Sequence, residues 1–161
     1  MPSVLFMRML IESLDRRFAA LEVQLRELIS RLPEDKLFNK PVSDDRTLID
    51  FSVGGCVIRS AAMIEQVFLG LTRRLWDDPF EWTLPEKLNS PTAIIDYLGE
   101  VGEARVNGMA FLKSDADLSR QLPAPEKLRP IFDVLVEALV RAEHYHGRAA
   151  AICRIVTEQK H

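Results

Sequence analysis

A stripe of apolar residues between positions 7 and 32 most constrains the fold. Its members are Met7, Ile11, Leu14, Phe18, Leu21, Leu25, Leu28 and Leu32. The steps between them alternate four and three, and this repeat of about 3.5 residues is typical of a long helix in a left-handed bundle or coiled coil. Pro33 marks its end. The stripe therefore predicts a helix over about 3–32 that buries one face against other helices.

The second helical segment is apolar on nearly every side. Between Phe51 and Leu71 its only charged residues are Arg59 and Glu65, and we predict a helix over about 46–76. A helix that is apolar nearly all round must be covered on more than one side. Its own bundle would cover one side and a second copy of the chain the other, which predicts a homodimer.

Two further helices follow, each after a proline-bearing connection. Ser90 before Pro91 combines an N-cap with proline at the first helical position, which predicts a helix over about 91–113. A last helix is predicted over about 130–158. Connections of ten or more residues exceed the roughly two to eight that simple helix hairpins need. The sequence therefore predicts an all-α, single-domain four-helix bundle over 1–161 with a long crossover connection.

Composition limits the partners and the compartment. The net charge is -3 at pH 7 and the Lys and Arg residues form no patch, which argues against nucleic acid and anionic membranes as partners. The longest uncharged stretch, FSVGGCVI, is far shorter than the roughly 18 residues that a membrane span needs. Cys56 and Cys153 lie far apart in apolar segments and are predicted to be buried thiols in the reducing cytoplasm.

The stretch RAEHYHGRAAAICRI holds two histidines two residues apart. His146 falls in the apolar seam of the last helix, whereas His144 is about 200° away around the axis, so the two imidazoles cannot ligate one ion. On the face of His146, position i-4 is Ala142, which cannot ligate, and position i-3 is Glu143. His146 is therefore either a hydrogen-bonded core residue or a single member of a site.

Three charged side chains emerge from apolar surroundings. Arg59 and Glu65 lie six residues apart, about 240° around the second helix, so they do not pair along one face. Arg105 follows the seam of the third helix. Because an unpaired buried charge is costly, their partners must come from other helices, a loop or a second subunit. Arg59 and Glu65 are either ion-pair members or the lining of a pocket.

Four segments in order resemble the DinB/YfiT-like family over about residues 5–157. They are LPEDKLFNKP, SVGGCVIRSAAMIEQVFLGL, PTAIIDYLGEVGEARVNGMAFLKSDADL and EHYHGRAAAICRI. The resemblance implies a four-helix bundle with a long crossover, commonly dimeric. It also implies a divalent metal, often zinc or nickel, held by one histidine of the second helix and two of the fourth.

The ligand positions that the resemblance implies are only partly kept. His146 corresponds to the last ligand, the other fourth-helix ligand falls on Ala142, and the second-helix ligand falls at or next to Arg59. A fixed positive charge opposes a cation in the same place. The resemblance therefore predicts that no metal cofactor is bound, or, if the site survives, zinc or nickel on His146 and Glu143.

Three functions remain open. The first is a metal-free DinB-like protein whose core cleft, lined by Arg59, His146, Glu65 and Ala142, is vestigial or binds a small anion through Arg59 and His146. The second is a divalent-metal-dependent, thiol-linked transferase or hydrolase that uses His146, Glu143 and Glu65. The third is a non-catalytic dimeric scaffold. The sequence does not decide whether the chain is an enzyme.

Overall fold

A computed structural model of the chain describes residues 6–41, 52–81 and 85–158. It confirms the all-α, four-helix prediction. The helices are α1 (Met9–Arg31), α2 (Val53–Arg73), α3 (Pro91–Phe111) and α4 (Ile131–Glu158), and a small antiparallel ribbon pairs β1 (Gln121–Pro123) with β2 (Leu128–Pro130). Short 3-10 turns lie at Phe6–Arg8, Glu34–Lys36, Pro79–Glu81, Pro85–Lys87 and Asp115–Ser119.

The helices are arranged so that α1 and α2 lie on a diagonal. α2 packs mainly on α4 and α3, and α1 packs on the same two helices from the opposite side. Across the centre the rings of Phe18 and Phe68 meet edge to face at 5.1 Å between centroids. Both rings are fully buried, so this aromatic pair joins the two diagonal helices at the middle of the core.

Contacts near the helix ends show which helices run parallel and which antiparallel to one another. Asp115, just beyond α3, contacts the start of α1, so α1 and α3 are antiparallel. Lys36, just beyond α1, donates from Nζ to the carbonyl of Val156 near the end of α4 at 3.2 Å, so α1 and α4 are parallel. Ser60 contacts Ala142 near the middle of α4, while Leu71 and Ile131 border one cavity. α2 is therefore antiparallel to α4 and parallel to its neighbour α3.

A parallel pair of neighbouring helices requires a connection that returns along the bundle. α2 has 21 residues and is about 31 Å long at 1.5 Å per residue, so the segment between α2 and α3 must span that length. Its described part follows α2 backwards, with Trp76 on Gly70 and Phe80 over Arg59. This segment is the long crossover that the sequence predicts.

The crossover also explains the apolar surface of α2. Fifteen of the 21 residues of α2 are buried, and α3, α4 and the crossover cover them within one chain. The observation that predicted a homodimer therefore has an explanation inside the monomer. α2 is also the one helix in the described ranges that is long and apolar enough to cross a membrane, but 78% of that window is buried in the bundle, as in a core helix.

Helix boundaries depart from the predicted ones at α2. Positions 46–51 of the predicted second helix lie outside the described residues. α2 begins at Val53, because the backbone of Ser52 is extended and its hydroxyl accepts from the N–H of Gly55 at 3.0 Å, which makes Ser52 the N-cap. It ends before 76 because Arg74 adopts a left-handed conformation with φ of 56°. The start of α3 at Pro91 is as predicted, with the Ser90 hydroxyl as its cap. The two-stranded ribbon was not predicted.

The start of α1 is capped by a side chain from far along the chain. The carboxylate of Asp115 accepts from the N–H groups of Leu10 at 2.9 Å and Ile11 at 3.0 Å, whereas Arg8, at the N-cap position, makes no such bond. We expect Asp115→Ala to lower the free energy of unfolding by about 1 kcal/mol, the usual effect of losing a cap. Urea unfolding measures it, with Asp96→Ala at an exposed position of α3 as control. Equal stability of the two variants would contradict the cap.

Candidate functional site

The implied ligand position at Ala142 lies inside the contact between α2 and α4. Ala142 is fully buried, and its carbonyl accepts from the Ser60 hydroxyl at 2.7 Å. Ser60 is also fully buried, so this hydrogen bond satisfies a hydroxyl that would otherwise be costly to bury. Here the two helices meet through a small side chain and a hydroxyl, and neither residue can supply a metal ligand of the expected kind.

His146 lies at the border of the buried face of α4. Its side chain is 19% exposed, and its Nδ1 is 3.6 Å from the Glu143 carboxylate. That distance is longer than a normal hydrogen bond. The seam passes through the fully buried Ala142 and Ala149, so His146 flanks the seam rather than filling it. His144 is exposed and cannot join it at one ion, as the helical geometry predicts.

Arg59 faces the crossover. Its guanidinium carbon lies 4.4 Å from the centre of the Phe80 ring, and its Nη1 is 3.7 Å from the Asp78 carboxylate. These contacts engage both the flat face and the charge of the guanidinium. Arg59 therefore holds the returning chain against α2, which is the ion-pair alternative that the sequence left open.

Glu65 faces α3 and is buried, with 6% of its surface exposed. The Tyr97 hydroxyl donates to Glu65 Oε1 at 3.4 Å. Burial, and next the nearby charge of Glu65, raise the pKa of Tyr97 above its usual range, so Tyr97 stays a neutral donor. Glu65 and Arg59 thus contact different elements on different sides of α2, as their spacing predicts.

The four residues predicted to line one cleft therefore each contact a different part of the structure and do not meet in one site. Ala142 meets Ser60 of α2, His146 lies beside Glu143 of its own helix, Arg59 meets the crossover and Glu65 meets α3. Within residues 6–41, 52–81 and 85–158, no three His, Cys, Asp or Glu side chains come close enough to hold a metal ion. His146 and Glu143 supply two donors from one helix, and this set does not fit the implied three-ligand site.

The cysteines offer no reactive thiol pair. Cys56 is fully buried, and burial raises the pKa of its thiol to about 11. It is therefore a protonated thiol at neutral pH, unlike the thiolates of redox and catalytic sites. Cys153 is half-buried and free. The predicted buried thiol is confirmed for Cys56 and only partly for Cys153.

A cavity of about 220 Å³ lies between α2 and α4, beside the Ser60–Ala142 contact and below the crossover and ribbon. It is open to solvent on one side. Its lining combines buried apolar side chains of both helices with the exposed charged side chains of Glu137 and Arg141. The lining residues are Met63, Gln66, Val67, Trp76, Ala124, Pro125, Arg129, Val134, Glu137, Ala138 and Arg141.

Two arginines at this cavity differ in their contacts. Arg129 forms an ion pair with Glu137, and its side chain is 25% exposed. Arg141 is exposed, and no residue in the described part of the chain forms an ion pair or hydrogen bond with it. Arg141 therefore brings an uncompensated positive charge to the mouth of the cavity.

Trp76, a residue of the crossover, forms one wall of the cavity. Its six-membered ring lies on Gly70, where an added Cβ would stand 2.4 Å from ring carbon Cε3. Gln66 of α2 donates from Nε2 to the carbonyl of Trp76 at 2.8 Å. The indole Nε1 is buried and has no hydrogen-bond partner among the described residues. The ring is thus fixed in place while its single donor remains unused.

These residues were not among the sequence predictions for a site. Trp76 follows the second helix in TRRLWDD, a stretch without a recognisable site motif. Arg141 lies next to Ala142, and an arginine beside a buried seam was the one available sign that a cavity mouth could carry charge. Arg129 comes from the ribbon, which the sequence did not predict.

Comparison of the chain with protein-family models, with curated proteins and with solved structures found no match.

Proposed function

We propose that this chain is a metal-free protein of the DinB-like type that binds a small anionic ligand in the cavity between α2 and α4. The observation that carries the proposal is Arg141, a cation without a partner among the described residues, on the rim of a 220 Å³ cavity. Arginine is well suited to bind carboxylate and phosphate oxygens. Arg59 and His146, which the sequence favoured for this role, do not line this cavity, and Arg59 contacts the crossover instead.

Metal-free binding is supported by the residues at the implied ligand positions. Ala142 has no donor atom, and its carbonyl is occupied by Ser60. The positive charge of Arg59 lies at or next to the second-helix position and opposes a bound cation there. On this basis we propose that no metal cofactor is needed and that the protein has no metal-dependent activity.

A divalent-metal enzyme is the second candidate, and one contact favours it. His146 Nδ1 and a Glu143 oxygen are 3.6 Å apart, so the two groups share one face and could both approach one ion. A third donor would have to come from elsewhere, and Glu65 faces α3 instead.

The homodimer and the cytoplasmic location also remain proposals, and light scattering of the purified protein tests the dimer.

Metal analysis combined with thermal unfolding tests the proposal. Protein purified without a polyhistidine tag is expected to contain far less than one zinc or nickel ion per chain. Saturating acetate, benzoate or phosphate is then expected to raise the unfolding temperature. At a hundred times the Kd a ligand stabilises the folded state by about 2.7 kcal/mol, which corresponds to a shift of roughly 5–10 °C for a chain of this size.

Each arm of the test has a contrary outcome. One tightly held metal ion per chain, lost in His146→Ala, would favour the metal enzyme over our proposal. If no anion shifts the unfolding temperature and light scattering shows a dimer, the scaffold alternative is favoured instead.

A further inference from the structure

A second cavity, of about 210 Å³, lies where the end of α2 meets β1 and the start of α4, and we call it the ribbon cavity. It shares no lining residue with the cavity between α2 and α4. Four further cavities in the described part of the chain each have at least one carboxylate in their lining. The ribbon cavity instead combines two arginines with no acid. Its lining residues are Gly70, Leu71, Arg74, Phe111, Arg120, Gln121, Leu122, Pro123 and Ile131.

Arg74 brings an uncompensated charge to the ribbon cavity. Its left-handed backbone ends α2, and its N–H donates to the carbonyl of Gly70 at 3.0 Å. The start of the side chain is therefore held beside two other lining residues, Gly70 and Leu71. The side chain is exposed, and no residue in the described ranges forms an ion pair or hydrogen bond with it. Its guanidinium therefore remains available to a ligand.

Arg120 is compensated only weakly. Its Nε lies 3.5 Å from the Asp117 carboxylate, and the arginine side chain is 54% exposed. A charge-assisted hydrogen bond is shorter, at about 2.7–2.9 Å, and an exposed ion pair contributes little. Because the contact uses Nε, no carboxylate of the described residues meets the two terminal nitrogens. The guanidinium carbon is 5.9 Å from the centre of the Phe111 ring, which places this charge next to another lining residue.

The two guanidinium groups indicate the class of ligand. Two positive charges without a lining carboxylate favour a dianion, and a phosphate monoester carries about -1.5 to -2 charges at pH 7. The fork of N–H donors on arginine also matches phosphate oxygens. Liquid water occupies about 30 Å³ per molecule, so a volume of 210 Å³ has room for a phosphate group and several waters.

We propose that the ribbon cavity binds a phosphate dianion between Arg74 and Arg120. Each guanidinium donates to phosphate oxygens. Leu71 and Ile131, which are buried, form an apolar part of the lining, where the low dielectric strengthens charge-assisted contacts. This site is separate from the small-anion cavity of the proposed function, and either could bind its ligand without the other.

An NMR titration of the 15N-labelled protein separates the two sites. The backbone amide signals of Gly70 and Leu122 report on the ribbon cavity, and those of Met63 and Ala138 report on the cavity between α2 and α4. The probes are inorganic phosphate, phenyl phosphate as a monoester and acetate as a monoanion. They are compared at pH 8, where both phosphates are mainly dianions, and at one low ionic strength, since salt screens exposed charges.

We expect at least one of the two phosphates to move the Gly70 and Leu122 signals and to bind there at least tenfold more tightly than acetate. Tighter binding of the inorganic ion would identify the ligand as free phosphate, and tighter binding of phenyl phosphate would identify it as a monoester. Acetate binding as tightly as both phosphates would overturn the dianion assignment. If neither phosphate moves these two signals, the site is overturned, while the Met63 and Ala138 signals still test the proposed function.

Charge variants complete the test. Arg74→Gln and Arg120→Gln are each expected to weaken phosphate binding at the ribbon cavity at least tenfold. Arg73→Gln is the matched control, because it removes the same charge at the neighbouring exposed residue, which does not line this cavity. It is expected to leave binding within twofold. Thermal unfolding checks that all three variants are folded. Equal losses in Arg73→Gln and Arg74→Gln would show attraction by surface charge alone and would overturn the site.

Discussion

Replacing Arg105 by methionine should lower the free energy of unfolding at pH 7 by about 3 kcal/mol, because it leaves a buried carboxylate without its cation. Arg105 of α3 donates from Nε to Glu22 of α1 at 2.8 Å and also pairs with Asp15. The side chains of Arg105 and Glu22 are only 13% and 10% exposed. Gly102 makes room for this pair, since a Cβ there would be 3.3 Å from a Glu22 oxygen.

The same change should make stability depend on pH. Burial raises the pKa of Glu22 above its usual range, against the opposing effect of Arg105, so removing Arg105 raises it further. When the folded pKa exceeds the unfolded one, protonation favours the folded state, and that contribution is lost as pH rises through the folded pKa. The deficit of Arg105→Met should therefore shrink as pH falls from about 7 towards 5.

Urea unfolding at both pH values measures this effect. Arg31→Met is the control, because the Arg31–Glu27 pair spans 3.8 Å between side chains that are 74% and 54% exposed. Such a surface pair contributes little, and we expect a change within about 0.5 kcal/mol. A loss in Arg105→Met that is the same at both pH values would contradict the role given to Glu22.

Gly108→Ala should lower the free energy of unfolding by about 2 kcal/mol, although alanine is the better helix former. A Cβ at Gly108 would stand 2.4 Å from Cδ1 of Phe68. Phe68 is fully buried and packed on Phe18, so it cannot move aside without disturbing the centre of the core. Overpacking of this kind usually costs about 1–3 kcal/mol.

Gly147 of α4 provides the matched control. No atom lies within 4 Å of a Cβ built at this exposed glycine, so Gly147→Ala should stabilise the protein by about 0.5–1 kcal/mol. Combining Gly108→Ala with Phe68→Leu should recover part of the loss, because the smaller side chain makes room for the methyl group. Thermal or urea unfolding measures these changes. Equal stabilisation of Gly108→Ala and Gly147→Ala would contradict the close packing of Phe68 on Gly108.

The sequence predicted most accurately the features that depend on residues close together in the chain. In the α1 stripe, Ile11, Phe18, Leu21, Leu25 and Leu32 are buried, because a 3.5-residue repeat specifies a face whatever covers it. Ser90 and Pro91 located the start of α3 for a similar reason, since a cap acts within one turn. Met7 lies before α1 and is 45% exposed, so the pattern extended beyond the helix it described.

Contacts between distant segments could not be predicted in this way. The sequence indicated that Arg105 needs a partner, but Glu22 lies 83 residues away and only the packing of α1 on α3 identifies it. The cap of α2 was likewise not predicted, because Ser52 is one of several polar residues before the apolar run and only its extended backbone and its hydrogen bond to Gly55 identify it. The cavity depends on how the crossover places Trp76 on Gly70, and nothing in the local sequence specifies that return path.

The diagonal placement of α1 and α2 has a consequence for synthesis on the ribosome. The stripe of α1 is covered chiefly by α3 and α4, which emerge last of the four helices. A nascent chain therefore carries an uncovered apolar helix through most of translation, and no early pair of helices can form a finished hairpin. Transiently exposed apolar surface promotes aggregation, so we expect the nascent chain to be most prone to aggregate before α3 and α4 have emerged.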